Sequence, residues 1–325
     1  MKILITGSDG FSGSHFCVQA QESGHQVLGT DISCWFVPRG LQVQNLDIRD
    51  QKACQELCRT FRPDAIIHTA RAPGNLWQLE KDRVTAYRIN VLGARTLAQC
   101  AEELGAAFVY LSTDWIFDGN KPAGEKYAEE DEACPLNYYG VTKWIAEQEI
   151  RRVTANHLII RPAHIYGFHA AALDTSFNAG MNIFSKTVWG NMWNSIQKGE
   201  KLLIPENMLQ TPVLVNHLVE TILLLLEKGI TGIYHLVDRD CNSRFNITRT
   251  VFEALGFESS LITKGERMDF AKSQGLPPDL VKTLPLNTCL NINKVEEALG
   301  SEMMTFKEGV ARMKADLDGL IKGVV

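Results

Sequence analysis

Three glycines at three-residue spacing directly follow the first apolar segment of the chain. Gly7, Gly10 and Gly13 come after the run Lys2-Ile-Leu-Ile-Thr6, and a helical pattern begins immediately behind them. An apolar run, a glycine turn and a helix form the opening of a βαβ unit, in which the glycines permit a tight turn and close helix–strand packing. This arrangement predicts an α/β fold built on a parallel sheet.

The same loop predicts what the fold binds. Backbone N–H groups at a helix N-terminus attract phosphate oxygens. We therefore interpret this G-x-x-G-x-x-G turn as a cradle for the pyrophosphate of a dinucleotide. The residues expected to contact the cofactor here are Gly7, Gly10, Phe11, Ser12 and Gly13.

Acidic residues end the second and third predicted strands. Asp31 follows the glycine loop at close to the expected separation. In dinucleotide-binding folds, an acid roughly 20 residues beyond the loop hydrogen-bonds the ribose hydroxyls of the adenosine half. Because a 2′-phosphate would place negative charge beside this carboxylate, Asp31 favours NAD, with NADP as the other candidate. A solvated strand-end aspartate is the alternative interpretation. We further expect Asp47 and Ile48 to border the adenine.

Apolar β-type runs alternate with helical patterns through the first half of the chain, as in a doubly wound parallel sheet. Strands are predicted at about 2–6, 26–31, 42–46, 64–68, 106–112 and 157–162, and helices at about 11–23, 50–60, 79–104 and 137–155. This regular alternation of predicted strands and helices ends after Pro162. We predict a Rossmann-type dinucleotide-binding domain over 1–165 plus about 210–237, and a smaller mixed α/β substrate lobe over about 166–209 and 238–325.

Charge and cysteine content exclude several classes of protein. Lys and Arg number 33 against 38 Asp and Glu, a net charge of −5. The chain therefore lacks the excess of basic residues that general binding to nucleic acid phosphates requires. Apolar runs fall far short of the roughly 20 residues of a membrane-spanning helix, and the N-terminus does not resemble a signal peptide. We therefore expect a cytoplasmic protein without nucleic-acid or membrane partners. Eight scattered cysteines predict reduced thiols, and the eight histidines show no metal-ligand spacing.

Two segments carry residues suited to proton transfer. Ser112, Thr113 and Asp114 end a central predicted strand, and Tyr139 and Lys143 open a predicted helix. Residues four apart lie on one helix face, and a neighbouring ammonium lowers the pKa of a phenol, which is otherwise near 10. Tyr139 is therefore predicted to be the acid–base catalyst, with Thr113 hydrogen-bonding the reacting oxygen.

Together these segments resemble the extended short-chain dehydrogenase/reductase family, within the NAD-dependent epimerase/dehydratase superfamily, and its dTDP-4-dehydrorhamnose reductase branch. The resemblance implies that Thr113, Tyr139 and Lys143 form the catalytic triad and that Asp114 and Trp115 contact the substrate. The segments that carry it are TGSDGFSG at 6–13, LSTDWIFDG at 111–119, PLNYYGVTK at 135–143 and RPAHIYG at 161–167.

The resemblance implies further contacts. Asn90 matches an asparagine that supports the active-site backbone, the alternative being an ordinary helix-surface residue. Arg71 is a candidate to meet a phosphate or a sugar carboxylate, or is an exposed loop arginine. Asn182 is expected to contact substrate. The remaining expected cofactor contacts are Thr69, Ala70, Arg71, Asn90, Ser112, Tyr139, Lys143 and Pro162.

The implied activity is reduction of a keto group on a nucleotide-linked deoxysugar by NADH or NADPH. Sugar-nucleotide 4,6-dehydratases of the family carry Glu where Trp115 stands, so this residue favours simple carbonyl reduction. Family reductases usually have Tyr, Thr and Arg at Trp115, Pro162 and Leu284, and these departures fall where substrate is recognised. An epimerase or epimerase-reductase, and a regulatory subunit like the methionine adenosyltransferase β subunit, remain open. The expected assembly is a homodimer.

Overall fold

The computed structural model describes residues 1–173, 190–273 and 276–323. Its strands are β1 (Lys2–Thr6), β2 (Gln26–Asp31), β3 (Gln42–Asn45), β4 (Ala65–His68), β5 (Ala107–Leu111), β6 (His157–Arg161), β7 (Ile165–Tyr166), β8 (Leu202–Pro205), β9 (Leu209–Gln210), β10 (Val213–Leu214), β11 (Gly232–His235), β12 (Asn242–Ser243), β13 (Ile262–Gly265) and β14 (Asn287–Thr288).

Helices cover most of the remaining described chain. The α-helices are α1 (Phe11–Glu22), α2 (Gln51–Phe61), α3 (Leu76–Lys81), α4 (Arg83–Tyr87), α5 (Ala94–Leu104), α6 (Tyr138–Val153), α7 (Ala170–Leu173), α8 (Gly190–Gln197), α9 (Val215–Glu227), α10 (Arg244–Ala254), α11 (Arg267–Ser273), α12 (Pro278–Val281), α13 (Asn293–Leu299) and α14 (Phe306–Gly323). Arg88–Gly93 is a π-helix, and Asp114–Ile116 and Ser259–Leu261 are 3-10 turns.

The chain divides into two compact units. The first comprises Met1–Thr113, Tyr138–Arg161 and Val219–Tyr234, and the second comprises Asp114–Asn137, Pro162–Leu218 and His235–Val325. Relative to the boundaries predicted from sequence, residues 114–137, 162–165, 210–218 and 235–237 fall in the second unit.

A seven-stranded sheet forms the centre of the first unit, in the order β11-β6-β5-β4-β1-β2-β3. The pairings from β6 through to β3 are parallel. In β1, Ile3, Leu4 and Ile5 are all fully buried, which is expected where helices cover both faces of a sheet. The strand order reverses beside β1, and open α/β sheets bind ligands at such a reversal, outside the carboxyl ends of the strands. The prediction of a Rossmann-type parallel sheet is confirmed.

The prediction of a single helix over 79–104 is wrong. The structure has four elements there instead: the end of α3, α4, the π-helix Arg88–Gly93 and α5. Asp82 ends α3 and its carboxylate accepts a hydrogen bond from Thr85 N at 3.1 Å, which starts a new helix. The π-helix then places Asn90 in the interior, where it is 1% exposed. Single π-helical turns inside α-helices recur at functional sites.

The second unit combines small sheets with helices, as predicted for a mixed α/β lobe. Its sheets are β10-β7, β12-β9-β14 and β13-β8. One core cluster joins the aromatic face of α10, with Phe245 and Phe252, to Phe306 of α14 and Tyr166 of β7. The three-stranded sheet places residues far apart in sequence side by side, since β9 pairs with both β12 and β14.

The expectation of eight reduced thiols is wrong for one pair. Cys241 and Cys289 of the second unit form a disulfide, with Cα atoms 5.5 Å apart and a sequence separation of 48. Sequence spacing gave no sign of this pair because only the folding of the second unit brings them together. Cys54 and Cys58, which are close in sequence, are free thiols buried in the core of the first unit.

Two kinds of feature are absent from the parts of the chain that the structure describes. No helix in 1–173, 190–273 or 276–323 is both long and apolar enough to cross a membrane. Across the same ranges, no group of three or more His, Cys, Asp or Glu side chains is placed to hold a metal ion.

Candidate active site

The glycine loop between β1 and α1 has no room for a side chain at Gly7 or Gly13. Gly7 adopts φ +80°, a backbone conformation that favours glycine, and a Cβ on Gly13 would lie 1.9 Å from the Gly7 carbonyl oxygen. Gly10 N donates to Gly7 O at 2.9 Å. The helix begins at Phe11, so Ser12 lies in its first turn. This bare turn at a helix N-terminus fits the close backbone approach that a pyrophosphate needs.

Asp31 ends β2 beside this loop, as the sequence predicts. Its carboxylate accepts from Asp9 N at 3.2 Å and from Ile32 N at 2.7 Å. Asp9, which sequence reasoning missed, is 2% exposed and accepts from Trp35 N at 2.6 Å and from Ser33 Oγ at 2.9 Å. The Asp9 carboxylate therefore holds the segment after β2 against the glycine loop.

The segment after β4 forms the opposite side of the same loop. Thr69 Oγ1 donates to Thr6 O at 2.8 Å, and Ala70 N lies 2.6 Å from where a Cβ on the first glycine of the loop would stand. Arg71 is exposed, and its guanidinium donates to Ala72 O at 2.9 Å. Thr69 and Ala70 are thus held against the loop, whereas Arg71 points along its own segment.

Asn90 connects this segment to the predicted catalytic helix. Its Oδ1 accepts from Ala72 N at 2.7 Å, and its Nδ2 donates to Thr142 Oγ1 at 2.9 Å. Thr142 Oγ1 in turn donates to Tyr139 O at 2.8 Å. The alternative of a helix-surface asparagine does not fit this geometry, because Asn90 lies in the interior and bridges two segments.

Asp47 and Ile48 follow β3 but have different surroundings. Hydrogen bonds from Arg49 lower the pKa of the Asp47 carboxyl below its ordinary value. Ile48 is 7% exposed and packs so closely on the π-helix that a Cβ on Gly93 would lie 2.8 Å from its Cδ1. Ile48 is part of the core, and Asp47 remains at the surface of the sheet edge.

Tyr139 and Lys143 lie one turn apart on α6. The start of this helix is fixed by Glu80 of α3, whose Oε1 accepts from Tyr138 N at 2.7 Å. Tyr139 also packs against the buried cluster that contains Ala72. Glu80 was not predicted from sequence, since its role depends on how α3 packs against α6.

Lys143 reaches the carboxyl end of β5. Its Nζ donates to Leu111 O at 2.5 Å and lies 4.0 Å from the centre of the Tyr110 ring. Burial lowers the pKa of the Lys143 ammonium to about 7; the Glu147 carboxylate opposes that shift and the Arg71 charge adds to it. The buried lysine is therefore held at the carbonyl of Leu111, which is two residues before Thr113 in the sequence.

Ser112 and Thr113 follow β5 and are 5% and 6% exposed. The Ser112 hydroxyl donates to Glu147 Oε1, and Glu147 also accepts from Arg161 Nη2 at 2.7 Å. The two charged side chains are 0% and 3% exposed. The Ser112 hydroxyl thus binds inward to an ion pair, and its backbone N donates to Ile160 O at 2.7 Å.

The predicted substrate contacts belong to the second unit. Asp114 is 3% exposed, donates from its N to Pro162 O at 3.0 Å, and accepts at Oδ2 from Thr288 Oγ1 at 2.6 Å. Trp115 is half-buried in the 3-10 turn that follows Thr113. Asn182, the third predicted substrate contact, lies outside the described residues.

Residues 1–318 match the family model described as the RmlD substrate binding domain. The chain belongs to this family. It is 27% identical over 262 residues to the spore coat polysaccharide biosynthesis protein SpsK of Bacillus subtilis, covering 81% of this chain and 82% of that protein. The dTDP-4-dehydrorhamnose reductase of Aggregatibacter actinomycetemcomitans is 25% identical, covering 97% and 98%. The methionine adenosyltransferase 2 subunit beta of Rattus norvegicus is 26% identical, covering 80% and 73%.

Solved structures match the fold over nearly the whole chain. The dTDP-4-dehydrorhamnose reductase of Bacillus anthracis in complex with NADP has a TM-score of 0.77 at 24% identity, covering 96% of this chain and 98% of that one. The UDP-glucose 4-epimerase of Thermus thermophilus in complex with NAD has a TM-score of 0.78 at 21% identity, covering 98% and 99%. At these identities the likeness shows the fold alone. The predicted resemblance to the dTDP-4-dehydrorhamnose reductase branch is confirmed by the family match.

Proposed function

We propose that this chain reduces a keto group on a nucleotide-linked deoxysugar, with NADH or NADPH as the reductant. The observation that carries the proposal is the pairing of Tyr139 and Lys143 on α6, with Lys143 Nζ bonded to the carboxyl end of β5 at Leu111 O. The glycine loop, whose bare turn fits a pyrophosphate, lies in the same unit. Membership of the RmlD substrate binding domain family supports this proposal.

The chain's own residues have three roles in this reaction. The Tyr139 phenol donates its proton to the carbonyl oxygen as that oxygen gains electron density, and the Thr113 hydroxyl donates a hydrogen bond to the same oxygen. The Lys143 charge favours the phenolate left behind, because an opposite charge nearby stabilises the ionised form. When bound, the nicotinamide supplies the hydride. Asn90 keeps α6 and the segment after β4 in register through its two hydrogen bonds.

Asp31 supports NAD(H) as the favoured cofactor, with NADP(H) as the other candidate. Two backbone N–H groups already fix its carboxylate at the end of β2. A ribose bearing two hydroxyls can donate to this carboxylate, whereas a 2′-phosphate would be repelled. Residues 1–113, 138–161 and 219–234 would hold the cofactor, together with Pro162.

Substrate recognition is assigned to the second unit. Asp114 and Asn182 would hydrogen-bond the sugar and Trp115 would pack against its ring, since an aromatic face suits the apolar face of a hexose. Trp115 carries no ionisable group, so the proton movements of a dehydratase have no donor at this position. We also propose that the chain assembles as a homodimer.

The test is the oxidation of NADH and NADPH in parallel, followed by absorbance, with a dTDP-linked 4-keto-6-deoxyhexose as substrate. Wild-type protein oxidises the cofactor, and Tyr139→Phe lowers the rate by roughly 10²–10⁴-fold, the usual contribution of general acid catalysis. Tyr138→Phe is the matched control, because it removes the neighbouring phenol on the same helix. Equal rates in wild type and Tyr139→Phe contradict the proposal.

The similarity to a methionine adenosyltransferase β subunit favours a second candidate, a cofactor-binding regulatory protein. This candidate predicts tight NAD(P)H binding, no oxidation with any keto sugar, and a change in the activity of a copurifying enzyme. An epimerase would rearrange the sugar without net consumption of NAD(P)H. The absorbance assay separates both from a reductase.

A further inference from the structure

Arg244 is a buried cation in the second unit that the proposed reaction does not use. It is the first residue of α10 and is only 9% exposed. Its guanidinium carbon lies 4.3 Å from the centre of the Phe270 ring, a cation–π contact. Among the described residues, its Nε is buried without a hydrogen-bond acceptor.

The surroundings of Arg244 are polar and ordered. Strand β9 pairs with both β12, which immediately precedes Arg244, and β14, so Gln210 and Thr288 lie directly opposite each other. Thr288 Oγ1 donates to Asp114 Oδ2 at 2.6 Å, and Gln210 Oε1 lies 3.1 Å from His164 Nδ1. One member of each pair, Asp114 and His164, interacts electrostatically with the Arg244 guanidinium, which therefore lies near polar side chains held by contacts within the second unit.

The Arg244 charge is only partly compensated by this site. Asp114 interacts electrostatically with Arg244, but the two form no ion pair within the described residues. Burial lowers the Arg244 pKa to about 10. Burying a charge without a hydrogen-bonded counter-ion costs several kcal/mol. An arginine fork presents two parallel N–H donors that match a carboxylate or a phosphate. The site is therefore complementary to a planar or tetrahedral oxyanion.

We propose that Arg244 binds an oxyanion of the substrate and thereby determines which nucleotide sugars are accepted. Such an oxyanion is a phosphate of the nucleotide or a carboxylate on the sugar, and both offer two oxygens to one guanidinium. Asp114, which interacts electrostatically with Arg244, directly follows the predicted catalytic Thr113 in the chain. This inference rests on the proposed function in that it takes the substrate to be anionic.

The experiment measures ligand-dependent thermal stability, which needs no turnover. The probes are dTDP and inorganic pyrophosphate for the phosphate source, and D-glucuronate for the carboxylate source. At least one probe raises the unfolding midpoint of wild type, and Arg244→Met weakens its apparent affinity by at least about tenfold. Arg244→Lys keeps the charge, loses the fork and gives an intermediate loss. The matched control is Arg249→Met on the same helix, where Arg249 is half exposed and pairs with Glu253 at 2.9 Å.

Stability without ligand separates binding from a structural role. Because the guanidinium is buried without an ion pair, Arg244→Met leaves the midpoint of the ligand-free protein unchanged or higher. A lower midpoint or failure to fold contradicts the proposal. So does the absence of stabilisation of wild type by all three probes, or equal stabilisation of wild type and Arg244→Met.

The outcomes also separate this inference from the proposed function. Arg244-dependent probe binding without NAD(P)H oxidation overturns the reductase assignment alone. Reduction of a keto sugar with the same KM in wild type and Arg244→Met overturns the role of Arg244 alone.

Discussion

The buried ion pair between Glu147 and Arg161 permits a quantitative test of the first unit. Glu147 is 0% exposed and also accepts from the Ser112 hydroxyl, while Arg161 is 3% exposed. Arg161→Met leaves the carboxylate buried with one neutral partner. Removing one member of a buried pair costs about 3–5 kcal/mol. At about 2–4 °C per kcal/mol for a unit of this size, the melting temperature falls by roughly 6–20 °C.

A double-mutant cycle isolates the pair. Glu147→Leu combined with Arg161→Met removes both charges, and such replacements are often neutral or stabilising, so the double variant recovers most of the loss. Urea and thermal denaturation measure the free energies of unfolding. The control is Arg152→Met, whose exposed pair with Glu149 is expected to contribute below about 1 kcal/mol. A double variant as unstable as the sum of the single variants refutes the reasoning.

Three further predictions follow from the first unit. Because burial lowers the Lys143 pKa from 10.5 to about 7, the unfolded chain binds more protons between these values. The stability of wild type relative to Lys143→Met therefore rises from about pH 7 to 10.5, and a difference that stays flat in urea denaturation contradicts it. Gly13→Ala weakens NADH binding at least about tenfold by fluorescence titration, since its Cβ would meet the Gly7 carbonyl; Gly319→Ala, where a methyl meets open space, does not. Asp31→Ala shifts the NADPH/NADH ratio of kcat/KM at least about tenfold towards NADPH, and an unchanged ratio removes Asp31 from cofactor choice.

Short-range patterns predicted the elements of the first unit because each pattern is local. The apolar runs of β1 and β4 are continuous where both faces of the sheet are covered, and the glycine turn has one workable geometry between a strand and a helix. The division of the span 79–104 was missed because Asp82 could equally continue a helix or cap the next one. Its capping of Thr85 depends on the path of α4.

Contacts between distant segments could not be predicted from sequence. Asp9 was given no role from sequence, although its carboxylate binds the backbone after β2. The Cys241–Cys289 disulfide and the position of Arg244 both depend on strands β9, β12 and β14 coming together. Tyr139 and Lys143 were predictable because a separation of four on one helix fixes their common face.

The most direct test of the central claim is the fate of the transferred hydrogen. We would incubate the protein with nicotinamide cofactor deuterated at C4 and a dTDP-linked 4-keto-6-deoxyhexose, and locate the label in the sugar by NMR and mass spectrometry. The account predicts one deuterium on the carbon that carried the keto group, one cofactor oxidised per sugar, and loss of both in Tyr139→Phe. Exchange of ring protons with solvent while the cofactor stays reduced would contradict it.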